Sequence, residues 1–107
     1  MLQDVERFNI TFNWFKKNYF RYKMITSGQI RAARALLKWN STQLSSFSGI
    51  GTTTIRRYEL SDGVPNANIS TLSKIKQTLE SAGVEFIGTP DKNPGVRLLT
   101  DKVNSNP

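Results

Sequence analysis

Within GTTTIRRYE, the side chains of Thr52, Thr53, Arg56 and Arg57 lie at spacings that place them along one side of a helix. Their chemistry is that of recognition. A guanidinium matches the O6 and N7 acceptors of a guanine edge in bidentate fashion, and a threonine offers a methyl to thymine and a hydroxyl to base acceptors. Bond-making chemistry has little to draw on: the chain has no His and no Cys, which removes imidazole acid-base work, thiolate nucleophiles, zinc sites, haem ligation and disulfides. Its 8 Asp and Glu are scattered and form no recognisable acid-base pair. No enzyme activity, cofactor or metal site is expected.

Charge points the same way. Fifteen Lys and Arg against eight Asp and Glu leave a formal +7 over 107 residues, which favours a polyanionic partner. Residues 1–23 hold +3 of this, with Arg7, Lys16, Lys17, Arg21 and Lys23 against Asp4 and Glu6, and residues 24–107 hold the other +4. The length is that of one domain, and 37% apolar residues can fill one core. No apolar run approaches the ~20 residues of a membrane span and no leader pattern opens the chain, so a cytoplasmic location and no membrane partner are expected.

Several elements must position those four side chains. Thr26 with Gln29 fits a capping box for a helix over about 27–38, with Ile30, Ala33, Leu36 and Leu37 on its apolar face. Asn40 caps a short helix through Ser48, with Leu44 and Phe47 inward, and Gly49 stops it. A third helix over about 52–60 turns Ile55 and Tyr58 to the core and the Thr and Arg side chains away. SDGVPNAN reads as a loop, and Asn68 caps a fourth helix with Ile69, Leu72, Ile75 and Leu79 inward, ending at Gly83. VEFI and VRLL then read as two short strands around the loop GTPDKNPG, and residues 100–107 as a frayed tail.

Two short helices joined by a three-residue glycine turn form the unit that sets its second helix into a DNA major groove while the first crosses the backbone. In NSTQLSSFSGIGTTTIRRYE, Ser45 is small where the helices approach, Gly49 makes the turn, and Leu44, Ile50, Ile55 and Tyr58 supply the apolar clasp. With RAARALLKWN before it and TLSKIKQTLESAGVEF after it, the chain over about 26–83 resembles the single-domain helix-turn-helix regulators of the phage repressor and Cro type, the XRE family.

That resemblance implies a mainly α, lambda-repressor-like bundle of four to five helices over 24–83. It also implies operator binding in double-stranded DNA, transcriptional regulation as a repressor, and a homodimer associated with the nucleoid when bound. Its base-reading positions fall on Thr52, Thr53 and Arg57, with Arg56 beside them. Asn40, Ser41 and Gln43 fall where phosphate is contacted, although the family often has Gln where this chain has Ser41, which shortens or removes that contact. Gly51 replaces the usual Ser or Thr before the recognition helix and caps it less well. Arg34 and Glu59 align with a partly buried ion pair between the first and third helices.

The flanks depart from the simplest members. Val5, Phe8, Phe12, Phe15, Tyr19 and Tyr22, spaced 3, 4, 3, 4, 3, predict an amphipathic helix over about 4–22. Packing against the domain or a partner, contact with a membrane or DNA, and an extension upstream of a start at Met24 all fit this segment. The predicted hairpin over 84–99 either pairs edges with a second copy or covers the core through Val84, Phe86, Val96 and Leu98, and dimerisation through the N-terminal helix is the alternative to strand pairing. An antitoxin-type autorepressor with a toxin partner uses the same fold. A protein-interaction module that no longer reads DNA is the rival of a different class.

Overall fold

Three of the four helix starts are written in a side chain that satisfies backbone N–H groups the helix leaves open. The computed structural model describes residues 24–100; the helix expected over 4–22 and the tail from 101 lie outside them. Thr26 and Gln29 form a full capping box: the Thr26 hydroxyl accepts from Gln29 N at 3.1 Å, and Thr26 N donates to Gln29 Oε1 at 2.8 Å. Helix α1 runs Ser27–Leu37 and stops where Lys38 takes left-handed φ of 58°. Asn40 and Gln43 repeat the device at 2.8 Å in both directions, starting α2, Ser41–Ser48, which Gly49 ends at φ 76°. Helix α3, Thr52–Leu60, follows Gly51, which provides no side-chain cap. Asn68 caps α4, Ile69–Ser81, by accepting from Ser70 N at 2.9 Å.

The chain finishes in an antiparallel hairpin, β1 Val84–Thr89 and β2 Lys92–Leu98, with Val84 opposite Leu98 and Phe86 opposite Val96. The described region is thus mostly helical: four helices and one two-stranded hairpin. Helix α3 packs on α1 and α2, α4 on α1, α2 and β1, and both strands on α1. One core joins them, built from Ile25, Ile30, Ala33, Leu44, Ile55, Tyr58, Leu72, Ile75, Leu79 and Val84. Burying an aliphatic side chain of this size contributes about 1.5–3 kcal/mol, so the four helices and β1 are bound to one another chiefly here.

Three apolar residues expected inside are exposed. Leu36 lies off the Ile30–Ala33–Leu37 stripe, Ile69 is the first residue of α4 and sits beyond the core's edge, and Phe47 is 61% exposed, its ring 4.7 Å from that of Trp39. The hairpin also differs from expectation. Most of GTPDKNPG is strand, pairing reaches Thr89 opposite Lys92, and only Pro90 and Asp91 turn the chain. Gly88 absorbs the irregularity between Ile87 and Thr89 at φ 74°, where an added Cβ would lie 2.0 Å from the Asn93 carbonyl oxygen. Pro94 is tolerated within β2 because a two-stranded sheet consists of edge strands.

The hairpin lies on the helices rather than standing clear of them. Val84 is buried in the core, Phe86, Val96 and Leu98 pack against it, and Gln29 stitches the strands down. The Gln29 Nε2 donates to the carbonyls of Ile87 at 3.2 Å and Gly95 at 2.9 Å.

Candidate nucleic-acid interface

Helix α3 owes its orientation to the three side chains it turns inward. Ile55 is fully buried, Tyr58 nearly so, and Glu59 is 7% exposed despite its carboxylate. A carboxylate that deep requires a partner, and Arg34 of α1 provides one in a fork: Nε to Oε2 at 2.8 Å and Nη2 to Oε1 at 2.6 Å. The same guanidinium uses Nη1 to donate to the Trp39 carbonyl at 2.9 Å, tying the start of the α1–α2 connection into the pair. Hydrogen bonding to Glu59 raises the Arg34 pKa above its ordinary value, with burial opposing and the Glu59 charge assisting. A raised pKa on a cation means stabilisation fully present below the ordinary value and lost only as pH climbs through the folded one. The contribution of Arg34 is therefore constant across neutral pH.

The carbonyls at the C-terminal end of α3 are also taken. Ser27 Oγ and Ser61 Oγ both donate to the Tyr58 carbonyl, at 2.6 and 2.7 Å, and Arg31 Nη1 donates to that of Glu59. Sequence reasoning missed Ser27, Ser61 and Arg31 here, because their partners are backbone atoms that no residue pattern announces.

With that side pinned, the opposite side faces outward. Thr53, Arg56 and Arg57 are exposed, whereas Thr52 is half-buried at the edge, so three of the four expected reading residues share the open face. The Arg57 guanidinium carbon lies 5.6 Å from the Tyr58 ring centroid, a cation–π contact that limits its freedom. Leu60, not singled out from sequence, is 85% exposed on this helix. Its signal was available: it stands four residues after Arg56 and seven after Thr53, hence on their face.

The second group sits at the start of α2. Asn40 and Gln43 are exposed and Ser41 is half-buried. Both capping bonds use the amide oxygens, Asn40 Oδ1 and Gln43 Oε1, as acceptors. That fixes both amide orientations and turns the two NH2 groups, which are donors only, away from the cap. The arrangement can therefore offer two side-chain donors beside a helix N-terminus, a setting suited to an anion. Helices α2 and α3 pack on each other across Gly49, Ile50 and Gly51.

Among the described residues, no group of three or more His, Cys, Asp or Glu could hold a metal ion, and no helix is long and apolar enough to cross a membrane. No family model matches the chain, and neither a curated protein nor a solved structure matches it.

Proposed function

We propose that this chain is a sequence-specific double-stranded DNA-binding protein of the helix-turn-helix kind, a transcriptional repressor acting at the nucleoid. In this reading α3 enters the major groove and α2 crosses the backbone. The observation that carries the proposal is the division of α3. Its one acid, Glu59, is withdrawn and paired with Arg34, while Thr53, Arg56 and Arg57 face outward. A helix side bearing hydroxyl, methyl and two guanidinium groups with no exposed carboxylate suits base edges between two lines of phosphate. Each well-placed bidentate arginine discriminates by ~1–3 kcal/mol. The outward NH2 groups of Asn40 and Gln43 would donate to phosphate, fixing register without reading sequence.

The test is a titration of the full chain against fluorescent genomic DNA fragments across ionic strength, with the Arg56→Ala/Arg57→Ala double variant in parallel. The parent should bind with an affinity that falls steeply as salt rises. The double variant should lose at least ~30-fold in affinity, the minimum for two base contacts, while unfolding at the parent's midpoint. A parent without salt-dependent affinity at low ionic strength would end this reading.

Phe47, exposed beside Trp39, favours a second reading in which the same fold docks onto a protein, as an antitoxin docks onto its toxin. The double arginine variant separates the two, since docking at Phe47 would survive it. A two-fold homodimer would declare itself as a palindromic site with half-site centres about 34–36 Å apart.

A further inference from the structure

Leu60 ends α3 with 85% of its surface in water, yet the residues on both sides of it are anchored. Glu59 is held by Arg34 through its carboxylate and by Arg31 through its carbonyl. Ser61 donates to the Tyr58 carbonyl at 2.7 Å, with its hydroxyl 2.8 Å from that of Ser27. Leu60 is therefore no frayed end; its backbone is fixed and its side chain is presented. At about 100° per residue, Thr53, Arg57 and Leu60 lie within about 40° of the direction opposite buried Ile55. From Thr53 to Leu60 the stripe runs about 10 Å, the rise of about three base pairs. At its far end, the chemistry changes from guanidinium to isobutyl.

We propose that Leu60 is a further specificity-determining residue of this face, reading the C5-methyl group of a thymine at the end of the site reached by the C-terminal turn of α3. The inference rests on the DNA-binding reading of α3. The thymine methyl is the one apolar group that base pairs present in the major groove, and apolar side chains are what recognise it. Arg56 and Arg57 on the same face hold the helix against a polyanion, and the carboxylate next to Leu60 in the chain is already neutralised by Arg34. The occupant that fits is a duplex with a T·A pair at that position.

The experiment has two stages. The full chain and its Leu60→Ala and Leu60→Met variants are each used to select sites from random duplex DNA. Affinities are then measured on the parent's site with each thymine replaced singly by uracil, which removes only the methyl group. For the parent, one replacement should cost about fourfold, the worth of one methyl group withdrawn from water. Leu60→Ala should bind thymine and uracil equally at that position, and Leu60→Met should restore the preference. A defined site whose uracil penalties are absent, or persist unchanged in Leu60→Ala, would overturn the role of Leu60 and leave DNA binding intact, persistent penalties then belonging to the threonine methyls. Failure of the parent to enrich any sequence would remove the DNA-binding reading itself, and this inference with it.

Discussion

Two ion pairs close at the same distance, 2.6 Å from guanidinium Nη2 to carboxylate Oε1, and differ in how much water reaches them. In Arg34–Glu59 the side chains are 21% and 8% exposed; in Arg97–Glu85 they are 60% and 38% exposed. Substituting Glu59→Gln keeps one acceptor for Arg34, removes the charge, and sets an NH2 donor against a guanidinium donor. Losing a hydrogen bond to a charged group costs about 1.5–3 kcal/mol and breaking a fully buried pair about 3–5 kcal/mol. Water reaches a fifth of Arg34, so the lower range governs and about 2–3 kcal/mol is expected. For a folded unit of this size, each kcal/mol moves Tm by about 4–8 °C, giving a fall of roughly 10–20 °C.

Glu85→Gln opens a pair of equal length in solvent and should cost less than about 1 kcal/mol. Arg34→Met should exceed Glu59→Gln, because it also frees the Trp39 carbonyl. Circular dichroism melts and urea titrations at pH 7, each at low and high salt, make the comparison. A Glu59→Gln melt within 2 °C of the parent, or a Glu85→Gln loss of equal size, would show that burial does not decide the worth of these pairs.

Two further substitutions probe the hairpin. Gln29→Leu strips the Ile87 and Gly95 carbonyls of their side-chain donor and Thr26 N of its acceptor. A loss of about 1–3 kcal/mol is expected, with amide exchange rising first in β1 and β2; unchanged hairpin protection would contradict the role given to Gln29. Gly88→Ala forces a Cβ to within 2.0 Å of the Asn93 oxygen at φ 74°, whereas Gly49→Ala meets nothing within 4 Å at φ 76°. Gly49→Ala should therefore cost only the left-handed term of about 1–2 kcal/mol, and urea titration should find Gly88→Ala clearly the more damaging of the two.

Helix positions were legible because their signals are local. Thr26 with Gln29 and Asn68 with Ser70 act over two or three residues, so a pattern in the chain is already a pattern in space. What the sequence hid depends on neighbours distant along the chain. Phe47 and Leu44 are both apolar and three apart, yet only Leu44 meets the core. Gln29 reaches partners 58 and 66 residues away, and nothing in its surroundings marks it as the hairpin's fastener. Pro94 and Gly88 read as loop because each disfavours strand, and the hairpin accommodates them with an edge and a bulge. In the candidate interface, the wheel separated Ile55 and Tyr58 from Arg56 and Arg57. At about 100° per residue it also sets Thr52 about 60° from buried Ile55, so the edge position of Thr52 was legible too.

Helix α3 is a rod clamped at one end. Arg31, Ser27 and Ser61 grip its last carbonyls and Arg34 its last carboxylate, whereas Gly51 gives the first turn no side-chain grip. Stiffness should accordingly decline from Tyr58 toward Thr52. A rod held this way pivots about its fixed end, so a small change in seating displaces the Thr52–Thr53 tip farthest, and compliance is greatest where fit to an irregular surface needs it. Backbone amide order parameters that fall steadily from Tyr58 toward Thr52 would trace that gradient residue by residue.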